Sequence, residues 1–314
     1  MKTGVPYRVD AMKKVQILLS SYNGEANIRR QIESILAQVD VYTSVLVRDD
    51  HSKDATVEIV RQMQKEYPDR IELIEGENKG WKQSFMSLIE CAGIFDYYGF
   101  SDQDDLWMPD KVKTCIALME ADKWNGIKLA HCNALSVEEN LTPRKEQEYR
   151  CAEPISHKAA IVTEVFQGCG MVWNYDAMAM VKKHMPKNHD IAHDFWVGLV
   201  SYFFGRIYFT KEAKFYHIRY AQSSSADGNV KKGRMIRFKK LFSLNECMYM
   251  NPAEDLLEGY QKFLTADDSR FLSDIVAYRY DLRAKMQLLM DADFRRPTVS
   301  STVLLKLAII MNRY

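Results

Sequence analysis

The sequence has few cysteines, and none of them is paired as Cys-x-x-Cys. The six lie far apart in the chain, at Cys91, Cys115, Cys132, Cys151, Cys169 and Cys247. Structural zinc sites and the disulfide frameworks of small secreted domains both need cysteines at regular, often short, spacings. The cysteine pattern therefore argues against these two classes and is typical of a protein in a reducing cytosol.

An excess of charge and a long apolar run are both missing. Lys and Arg number 43 against 42 Asp and Glu, so the net charge of +1 does not favour nucleic acid as a partner. The longest apolar run near the C-terminus, residues 303–311, contains Lys306 and is far shorter than the ~20 residues that cross a bilayer. Residues 1–12 lack the charged start and apolar stretch of a signal peptide. We expect a cytoplasmic protein that does not cross a membrane.

A glycine-rich phosphate-binding loop is also absent. The apolar run at residues 15–19 predicts the first strand, but Ser20-Ser21-Tyr22-Asn23-Gly24 follows it instead of Gly-x-Gly-x-x-Gly or a P-loop. The sequence therefore argues against a dinucleotide-binding or P-loop protein. Polar side chains occupy that turn.

Strands and helices alternate in the first 125 residues. Apolar runs predict strands at 15–19, 45–47, 71–74 and 96–101, and apolar residues at helical spacing follow each of them. This alternation predicts a mostly parallel sheet covered by helices on both faces. The 314 residues, 47% of them apolar, suffice for one large domain or for a domain with an appendage.

The second half predicts a mixed arrangement. Short strands are expected at 129–131, 162–166 and 207–209, and a helix at 194–204. From about residue 231 the pattern is helical and amphipathic. Six of the ten residues 231–240 are basic and apolar residues follow, so this segment predicts either contact with an anionic membrane leaflet or a solvated helix face.

Three carboxylates follow the fourth predicted strand. Asp102, Asp104 and Asp105 come directly after the apolar run at 97–100, at the edge of the sheet where ligands bind in this architecture. Clustered carboxylates suit Mg²⁺ or Mn²⁺, which keep open positions for the phosphates of a nucleotide. The alternative is that these acids only precede a helix that begins at Pro109 and Asp110.

Polar residues after the first two strands could hold a pyrimidine nucleotide. A carboxylate or amide accepts the imide proton of uracil or thymine, and an aromatic ring stacks on the base. The candidates are Ser21, Tyr22, Asn23, Glu25, Asp49 and Asp50. The alternative is that these residues form turns and the N-cap of the next helix.

These motifs, taken in order, resemble glycosyltransferase family 2, and more narrowly its bacterial rhamnosyltransferase branch. The resemblance covers residues of about 14–228. Its motifs are Ser21-Tyr22-Asn23-Gly24-Glu25, Asp49-Asp50-His51-Ser52-Lys53-Asp54, Asn78-Lys79-Gly80, Ser101-Asp102-Gln103-Asp104-Asp105-Leu106-Trp107 with Pro109-Asp110-Lys111, and His193-Asp194-Phe195-Trp196. The resemblance implies a GT-A fold, a three-layer α/β/α nucleotide-sugar-binding domain with a mostly parallel central sheet. It implies a catalytic domain at 1–230, with nucleotide-sugar binding to about residue 125 and the acceptor half at 126–230, and a helical C-terminal extension at 231–314.

The resemblance also implies roles for individual residues. Asp104, with Asp102, would hold Mg²⁺ or Mn²⁺ against the donor diphosphate, and Asp105 would lie behind them. Asp194 would be the catalytic base, with His193 as a rival base or a partner, although Asp194 could equally be a helix N-cap. The donor nucleotide would contact Ser21, Tyr22, Asn23, Glu25, Asp49, Asp50, Asn78, Lys79, Gly80, Asp102 and Gln103. The acceptor or diphosphate side would contain Trp107, Gly168, Cys169, His193, His217 and Arg219.

The implied function is an inverting, metal-dependent glycosyltransferase. The expected donor is dTDP-L-rhamnose, and the expected acceptor is a surface polysaccharide or a lipid-linked oligosaccharide at the cytoplasmic membrane face. Tyr216-His217-Ile218-Arg219 departs from the Tyr-Arg-x-His of this branch, so a uridine-linked galactosyl or glucosyl donor stays open. A nucleotidyltransferase and a non-catalytic saccharide-binding protein are the remaining alternatives.

Overall fold

The first half of the chain forms a parallel sheet. The computed structural model describes residues 12–145, 155–220 and 250–313. The four strands are β1 (Lys13–Ser21), β2 (Val41–Asp49), β3 (Ile71–Glu75) and β4 (Tyr97–Ser101), and they pair in parallel in the order β3-β2-β1-β4. The helices between them are α1 (Ile28–Leu36), α2 (Thr56–Glu66) and α3 (Trp81–Cys91). The predicted alternation of strands and helices is confirmed.

Burial explains why these segments fold as they do. Residues Val15, Ile17, Leu18 and Leu19 of β1 are all fully buried, as expected for a strand that helices cover on both faces. Helix α1 buries Ile28, Ile32 and Ile35, which recur at helical spacing, against the sheet.

The second half adds strands of both directions to the same sheet. It contains β5 (Leu106–Trp107), α4 (Lys111–Glu120), β6 (Ile127–Glu138), α5 (His157–Ala160), a short 3-10 helix (Gly168–Gly170), β7 (Met171–Asn174), α6 (Tyr175–Val181), α7 (His193–Phe204) and β8 (Gly205–Arg219). The sheet continues as β4-β7-β6-β8-β5, and β7 is antiparallel to both of its neighbours. The mixed second half, with strands over 129–131 and 207–209 and a helix over 194–204, is confirmed.

The strand predicted at 162–166 is wrong. These residues form a turn and an irregular segment after α5, although Val162, Val165 and Phe166 are buried. A short apolar run predicts burial, but it does not distinguish a strand from a buried loop. The place beside β4 is taken by β7, which the sequence pattern did not reveal.

The C-terminal helices pack on the catalytic part of the chain. They are α8 (Met250–Tyr260), α9 (Ala266–Ala277), α10 (Leu282–Met290) and α11 (Val299–Ile310). Leu256, Tyr260 and Phe271 belong to the same buried cluster as Phe85 and Trp196. The helical extension is therefore continuous with the main core, while the predicted boundary at 230/231 and the basic segment 231–240 lie outside the described residues. In the part of the chain that the structure describes, every helix is too short or too polar to span a bilayer.

Candidate active site

The strands β1, β2 and β4 lie side by side, and their carboxyl ends form one edge of the sheet. Ser21 pairs with Asp49 and Leu19 with Ser101 in the parallel register, so the three loops that follow these strands emerge together. Ligands bind at this edge in open α/β sheets. The predicted donor-binding and acidic segments are therefore brought to one place.

The loops after β1 and β2 are joined by reciprocal hydrogen bonds. The Asn23 backbone N–H donates to Ser52 Oγ (2.9 Å), and the side-chain Oδ1 of Asn23 accepts from the Lys53 backbone (2.8 Å). Glu25 Oε2 accepts from the Ala55 backbone (2.9 Å), and the Glu25 backbone donates to Asp54 (3.1 Å). Asn23 and Glu25, predicted to touch the donor, thus have their side-chain oxygens engaged in shaping these loops.

Asp49 is buried at the end of β2 and is held by serine donors. Its Oδ1 accepts from Ser21 Oγ (3.0 Å) and Ser52 Oγ (2.6 Å), and its Oδ2 accepts from the Ser52 backbone (2.8 Å). A carboxylate oxygen offers two lone-pair sites, so Oδ2 has room for one further donor, such as the imide proton of a pyrimidine. The direct contact between Asp49 and a base stays a prediction.

Asp50 organises the loop after β3. Its Oδ1 accepts from Arg48 (2.6 Å) and from the Lys79 backbone (2.9 Å), and its Oδ2 accepts from the Gly80 backbone (2.9 Å). Arg48 and Asp50 are both almost fully buried. The loop that carries Asn78 is thereby fixed beside β2, with Asn78, Lys79 and Gly80 exposed at the predicted donor side.

Gln103 links the loop after β4 to the loop after β1. Its Oε1 accepts from the Tyr22 backbone (2.8 Å), and its Nε2 donates to the Tyr22 carbonyl (3.0 Å). A Cβ added at Gly24 would lie 2.3 Å from Gln103 Oε1, so only glycine permits this approach. The Gln103 amide positions Tyr22, whose ring is 47% exposed and open to stacking on a base.

Asp102, Asp105 and Cys169 form a compact group at the end of β4. One potential ligand atom from each lies within 4.8 Å of the others. The Cys169 thiol donates to Asp102 Oδ2 (3.0 Å) and accepts from the Asp102 backbone N–H (3.3 Å), and its sulfur lies within 4.8 Å of an Asp105 carboxylate oxygen. Cys169 comes from the 3-10 helix before β7, so the antiparallel strand brings this thiol to the acidic loop.

The acidic group is strongly perturbed electrostatically. Burial, reinforced by the charges of Asp104 and Asp194, raises the pKa of Asp102 to about 6. Burial and the charge of Asp102 raise the pKa of Asp105 well above its usual range. Asp102 keeps an exposed face although protein surrounds it, as expected at the floor of a cleft. Carboxylates held together in such surroundings attract a cation.

Asp104, the main predicted metal ligand, lies outside the compact group. It is half-buried, and burial raises the pKa of its carboxyl while the charge of Arg30 lowers it. Arg30 donates to Tyr220 Oη (3.1 Å) and to Asn27 (3.2 Å). Arg30 belongs to none of the sequence motifs, because its helical position resembles that of any surface arginine.

A buried lysine lies beneath the acidic loop. Lys111 has no exposed surface, and its Nζ lies 2.9 Å from the centroid of the Trp107 ring. Burial lowers its pKa, while its charge lowers the pKa of Asp102 and of Asp105. Trp107, predicted on the acceptor or diphosphate side, is 3% exposed and packs on this ammonium. Lys111 belongs to the Pro109-Asp110-Lys111 motif, for which the resemblance implied no function.

Asp194 lies in the first turn of α7 and not at its N-cap, which is Ala192. Its Oδ1 accepts from the Phe195 backbone (2.8 Å), and its charge is close enough to raise the pKa of Asp102. A Cβ added at Gly168 would lie 2.9 Å from His193 Nε2 and 3.5 Å from the Asp194 Cβ. Glycine at 168 therefore lets the Cys169 segment pass directly against Asp194.

His193 is part of the core. Its ring stacks on Phe85 at a centroid distance of 3.8 Å and meets Phe100 edge-on at 4.4 Å. Burial lowers its pKa to about 3, so the imidazole is neutral at physiological pH. A neutral, buried imidazole stacked between aromatic rings does not suit the role of a rival base.

Two further histidines, His131 and His217, contact Gln167. The Gln167 backbone donates to His131 Nε2 (3.1 Å), and its side-chain amide lies 3.2 Å from His217 Nδ1. His217 and Arg219 lie on β8, which pairs with β6. On its other side β6 pairs with β7, the strand that directly follows the 3-10 helix. This places His217 next to the segment that carries Gly168 and Cys169, while the predicted contact of Arg219 with the diphosphate stays a prediction.

The residues at this site fit a divalent cation. Asp105 Oδ2 is buried and accepts no hydrogen bond from any of the described residues, so it has an unused ligand position. Asp102 supplies an exposed oxygen beside it, and carboxylate oxygens are the ligands that Mg²⁺ and Mn²⁺ prefer. The acids Asp102, Asp104, Asp105 and Asp194 outnumber the two basic groups that act on them, Lys111 and Arg30.

Comparisons with known proteins identify relatives of this chain. The chain is 30% identical over 189 residues to the dTDP-rhamnosyl transferase RfbG of Shigella flexneri, a stretch that covers 56% of this chain and 60% of that protein. It is 36% identical over 109 residues to the putative glycosyltransferase EpsE of Bacillus subtilis, covering 34% of this chain and 38% of that one. The chain thus spans less than two thirds of the length of these two relatives.

A solved structure shows the fold. S. aureus TarS, residues 1–349, superposes with a TM-score of 0.53 at 13% identity, over 95% of this chain and 80% of that one. This likeness confirms the predicted GT-A fold with C-terminal helices. The model of the family described as "Glycosyl transferase family 2" matches residues 16–178, just over half of the 314 residues. The chain belongs to glycosyl transferase family 2.

Proposed function

We propose that this chain is an inverting, metal-dependent glycosyltransferase that moves L-rhamnose from dTDP-L-rhamnose to a hydroxyl group of a saccharide acceptor. The observation that carries the proposal is the convergence of the acidic group after β4 with Asp194 at the carboxyl edge of the sheet. The 30% identity to a dTDP-rhamnosyl transferase supports the choice of donor. The acceptor class is a surface polysaccharide or a lipid-linked oligosaccharide precursor, and the site of action is the cytoplasm or the inner face of the membrane.

The donor nucleotide would lie across the loops after β1, β2 and β3. Tyr22 would stack on the base, Asp49 Oδ2 would accept its imide proton, and Asn78 and Lys79 would reach the ribose and phosphates from their exposed loop. The hydrogen bonds of Gln103 and Asp50 hold these loops in place before the donor arrives. Such preorganisation lowers the cost of ordering on binding.

Asp102 and Asp104 would hold the metal, and Asp105 Oδ2 is a further candidate ligand. When bound, magnesium or manganese supplies positive charge against the diphosphate as negative charge develops on it. Asp194 would take the proton of the acceptor hydroxyl while that oxygen attacks the anomeric carbon. The bond from the anomeric carbon to the diphosphate oxygen breaks on the opposite face, so one displacement inverts the configuration.

The test combines donor binding with turnover. Thermal unfolding is measured with a panel of nucleotide sugars, each with and without manganese, because a ligand at 100 times its Kd stabilises by about 2.7 kcal/mol. We expect dTDP-L-rhamnose to raise the Tm only when manganese is present. A panel in which no nucleotide sugar changes the Tm would contradict the proposal.

Turnover is then followed in Asp194→Asn. We expect about a 10²- to 10⁴-fold loss of kcat with an unchanged donor Kd, because general base catalysis contributes that much and Asp194 does not hold the donor. Asp190→Asn removes an exposed acid four residues earlier and is the matched control. Equal losses in the two variants would remove Asp194 from the mechanism.

A uridine-linked sugar is the second candidate donor. S. aureus TarS, which shares the fold, has been solved in complex with UDP-GlcNAc. The exchanged order of His217 and Arg219 in β8 is the feature of this chain that leaves the sugar open. The same panel decides between the two, because the nucleotide sugar that raises the Tm at the lowest concentration is the donor.

A further inference from the structure

The last helices expose apolar side chains on their outer faces. In α10, Leu282, Met286 and Met290 are 73%, 44% and 70% exposed, and they recur every four residues along one face. The opposite face of the helix buries Ala284 and Leu288. Helix α10 is therefore apolar both toward the protein and away from it.

Helix α11 has the same character. Val299, Val303 and Leu307 are 83%, 52% and 43% exposed, again at a spacing of four. Ile310 and Met311 extend this face and are also exposed, whereas Leu305, Ala308 and Ile309 are buried on the other side. An ordinary surface helix has a polar outer face, which α11 lacks.

These side chains are concentrated in one region. Of the 17 large apolar side chains that are exposed among the described residues, nine lie in the segment 280–311. Scattered exposed apolar residues are normal on a soluble protein, but contiguous ones mark a surface that contacts a protein or a membrane. We call the outward faces of α10 and α11 the C-terminal apolar surface.

The segment that forms the C-terminal apolar surface carries a positive net charge. Residues 280–313 contain six Lys and Arg against three Asp. Two of the three aspartates are engaged, because Asp281 caps α10 by accepting from the Arg283 and Ala284 backbones, and Asp291 pairs with Lys158. Arg283, Arg295 and Arg313 are exposed. Basic residues beside an apolar helix face are the features that bind the surface of an anionic bilayer.

We propose that the C-terminal apolar surface docks this protein on an anionic lipid bilayer, with α10 and α11 lying in the plane of the interface. Charge decides between a bilayer and a second copy of the chain. A two-fold interface would pair the surface with itself and bring its arginines together, whereas anionic headgroups neutralise them. The proposal does not depend on which sugar is transferred.

The experiment is flotation of the full chain with vesicles of phosphatidylcholine alone and of phosphatidylcholine mixed with phosphatidylglycerol. We expect binding to the mixed vesicles, weaker binding as salt is raised, and little binding to phosphatidylcholine alone. Val303→Glu with Leu307→Glu is expected to weaken binding about tenfold or more, because two carboxylates would have to enter the interface.

The control is Ile94→Glu, which places a carboxylate at a side chain that is 85% exposed in the loop before β4. It should bind vesicles as the unchanged protein does, and circular dichroism should show that all variants are folded. Binding that survives the double substitution, or that never occurs, would overturn the proposal. A concentration-dependent mass in sedimentation equilibrium that the double substitution abolishes would instead assign the surface to a second copy and would also overturn it.

Discussion

At the scale of single residues, the thiol of Cys169 links the acidic loop after β4 to the 3-10 helix before β7. It donates to Asp102 Oδ2, lies close to the Asp105 carboxylate, and is 1% exposed. Burial and the two carboxylates raise its pKa well above the usual range, so it stays a neutral donor. Cys169 is therefore a positioning residue that acts through Asp102.

We predict that Cys169→Ala weakens manganese binding by about tenfold, because the loss of one hydrogen bond to a charged group costs about 1.5–3 kcal/mol. Cys169→Ser keeps an O–H donor and should restore most of the affinity. Calorimetric titration with manganese measures both, and Cys91→Ala, at an exposed cysteine, is the control. Equal affinities in the alanine and serine variants would show that the hydrogen bond has no positioning role.

The raised pKa of Asp102 predicts the pH dependence of metal binding. A carboxylate binds metal only when it is ionised, and the pKa of Asp102 is about 6 because of burial. Manganese affinity should therefore fall as the pH is lowered through about 6, by up to about tenfold per pH unit for one linked proton. An affinity that remains constant down to pH 5 would contradict this assignment.

Lys111→Met tests the buried ammonium beneath that loop. Its charge lowers the pKa of Asp102 and Asp105, so its removal should move the fall in manganese affinity to higher pH. Lys123→Met, at an exposed lysine, is the control and should leave the curve unchanged. A Lys111→Met curve that coincides with that of the unchanged protein would contradict this role.

At the scale of elements, the strands and helices of the first half could be predicted, but the short elements of the second could not. Apolar runs such as 15–19 and 45–47 fold as strands because helices cover both faces of the sheet there. Strand β7 has four residues and depends on pairing with β4 and β6, which no local pattern contains. At 162–166, Val162, Val165 and Phe166 are buried although the segment forms no strand, and burial explains these apolar residues.

The loop between β3 and α3 depends on Asp50. We predict that Asp50→Ala destabilises the protein by about 3–5 kcal/mol, because it leaves the buried Arg48 without its ion pair and two backbone N–H groups of the loop without an acceptor. Urea unfolding measures the free energy. Asp69→Ala, at an exposed position, is the control and should change stability by less than about 0.5 kcal/mol.

At the scale of the whole molecule, the sequence located the site but not its internal geometry. The order of motifs along the chain placed the acids, the donor loops and Asp194 at one edge of the sheet, because parallel strands bring their carboxyl ends together. The group of Asp102, Asp105 and Cys169 depends on side-chain contacts between segments 64 or more residues apart. Spacing along the chain does not encode such contacts.

The last prediction concerns the relation between the C-terminal helices and the catalytic part. Tyr260 of α8 donates its hydroxyl to the carbonyls of Met180 and His184 (3.2 Å each), and its ring lies 6.1 Å from that of Trp196. Because α8 shares the core of the sheet, the helices and the sheet should unfold in one transition. All five tryptophans lie at or before residue 196, so tryptophan fluorescence reports the catalytic part, while ellipticity includes the C-terminal helices.

We expect the urea midpoints from fluorescence and from ellipticity to coincide, and Tyr260→Ala to lower both midpoints together. The free energy of unfolding should fall by about 3–5 kcal/mol, the cost of truncating a buried aromatic side chain. Phe263→Ala, at a ring that is 50% exposed three residues later, is the matched control and should have a much smaller effect. Two separate transitions, of which only the one seen by ellipticity responds to Tyr260→Ala, would show instead that the extension folds as an independent domain. In that case the shared core would contribute little to the coupling between the C-terminal helices and the sheet. The predicted division near residue 230 would then mark a true domain boundary.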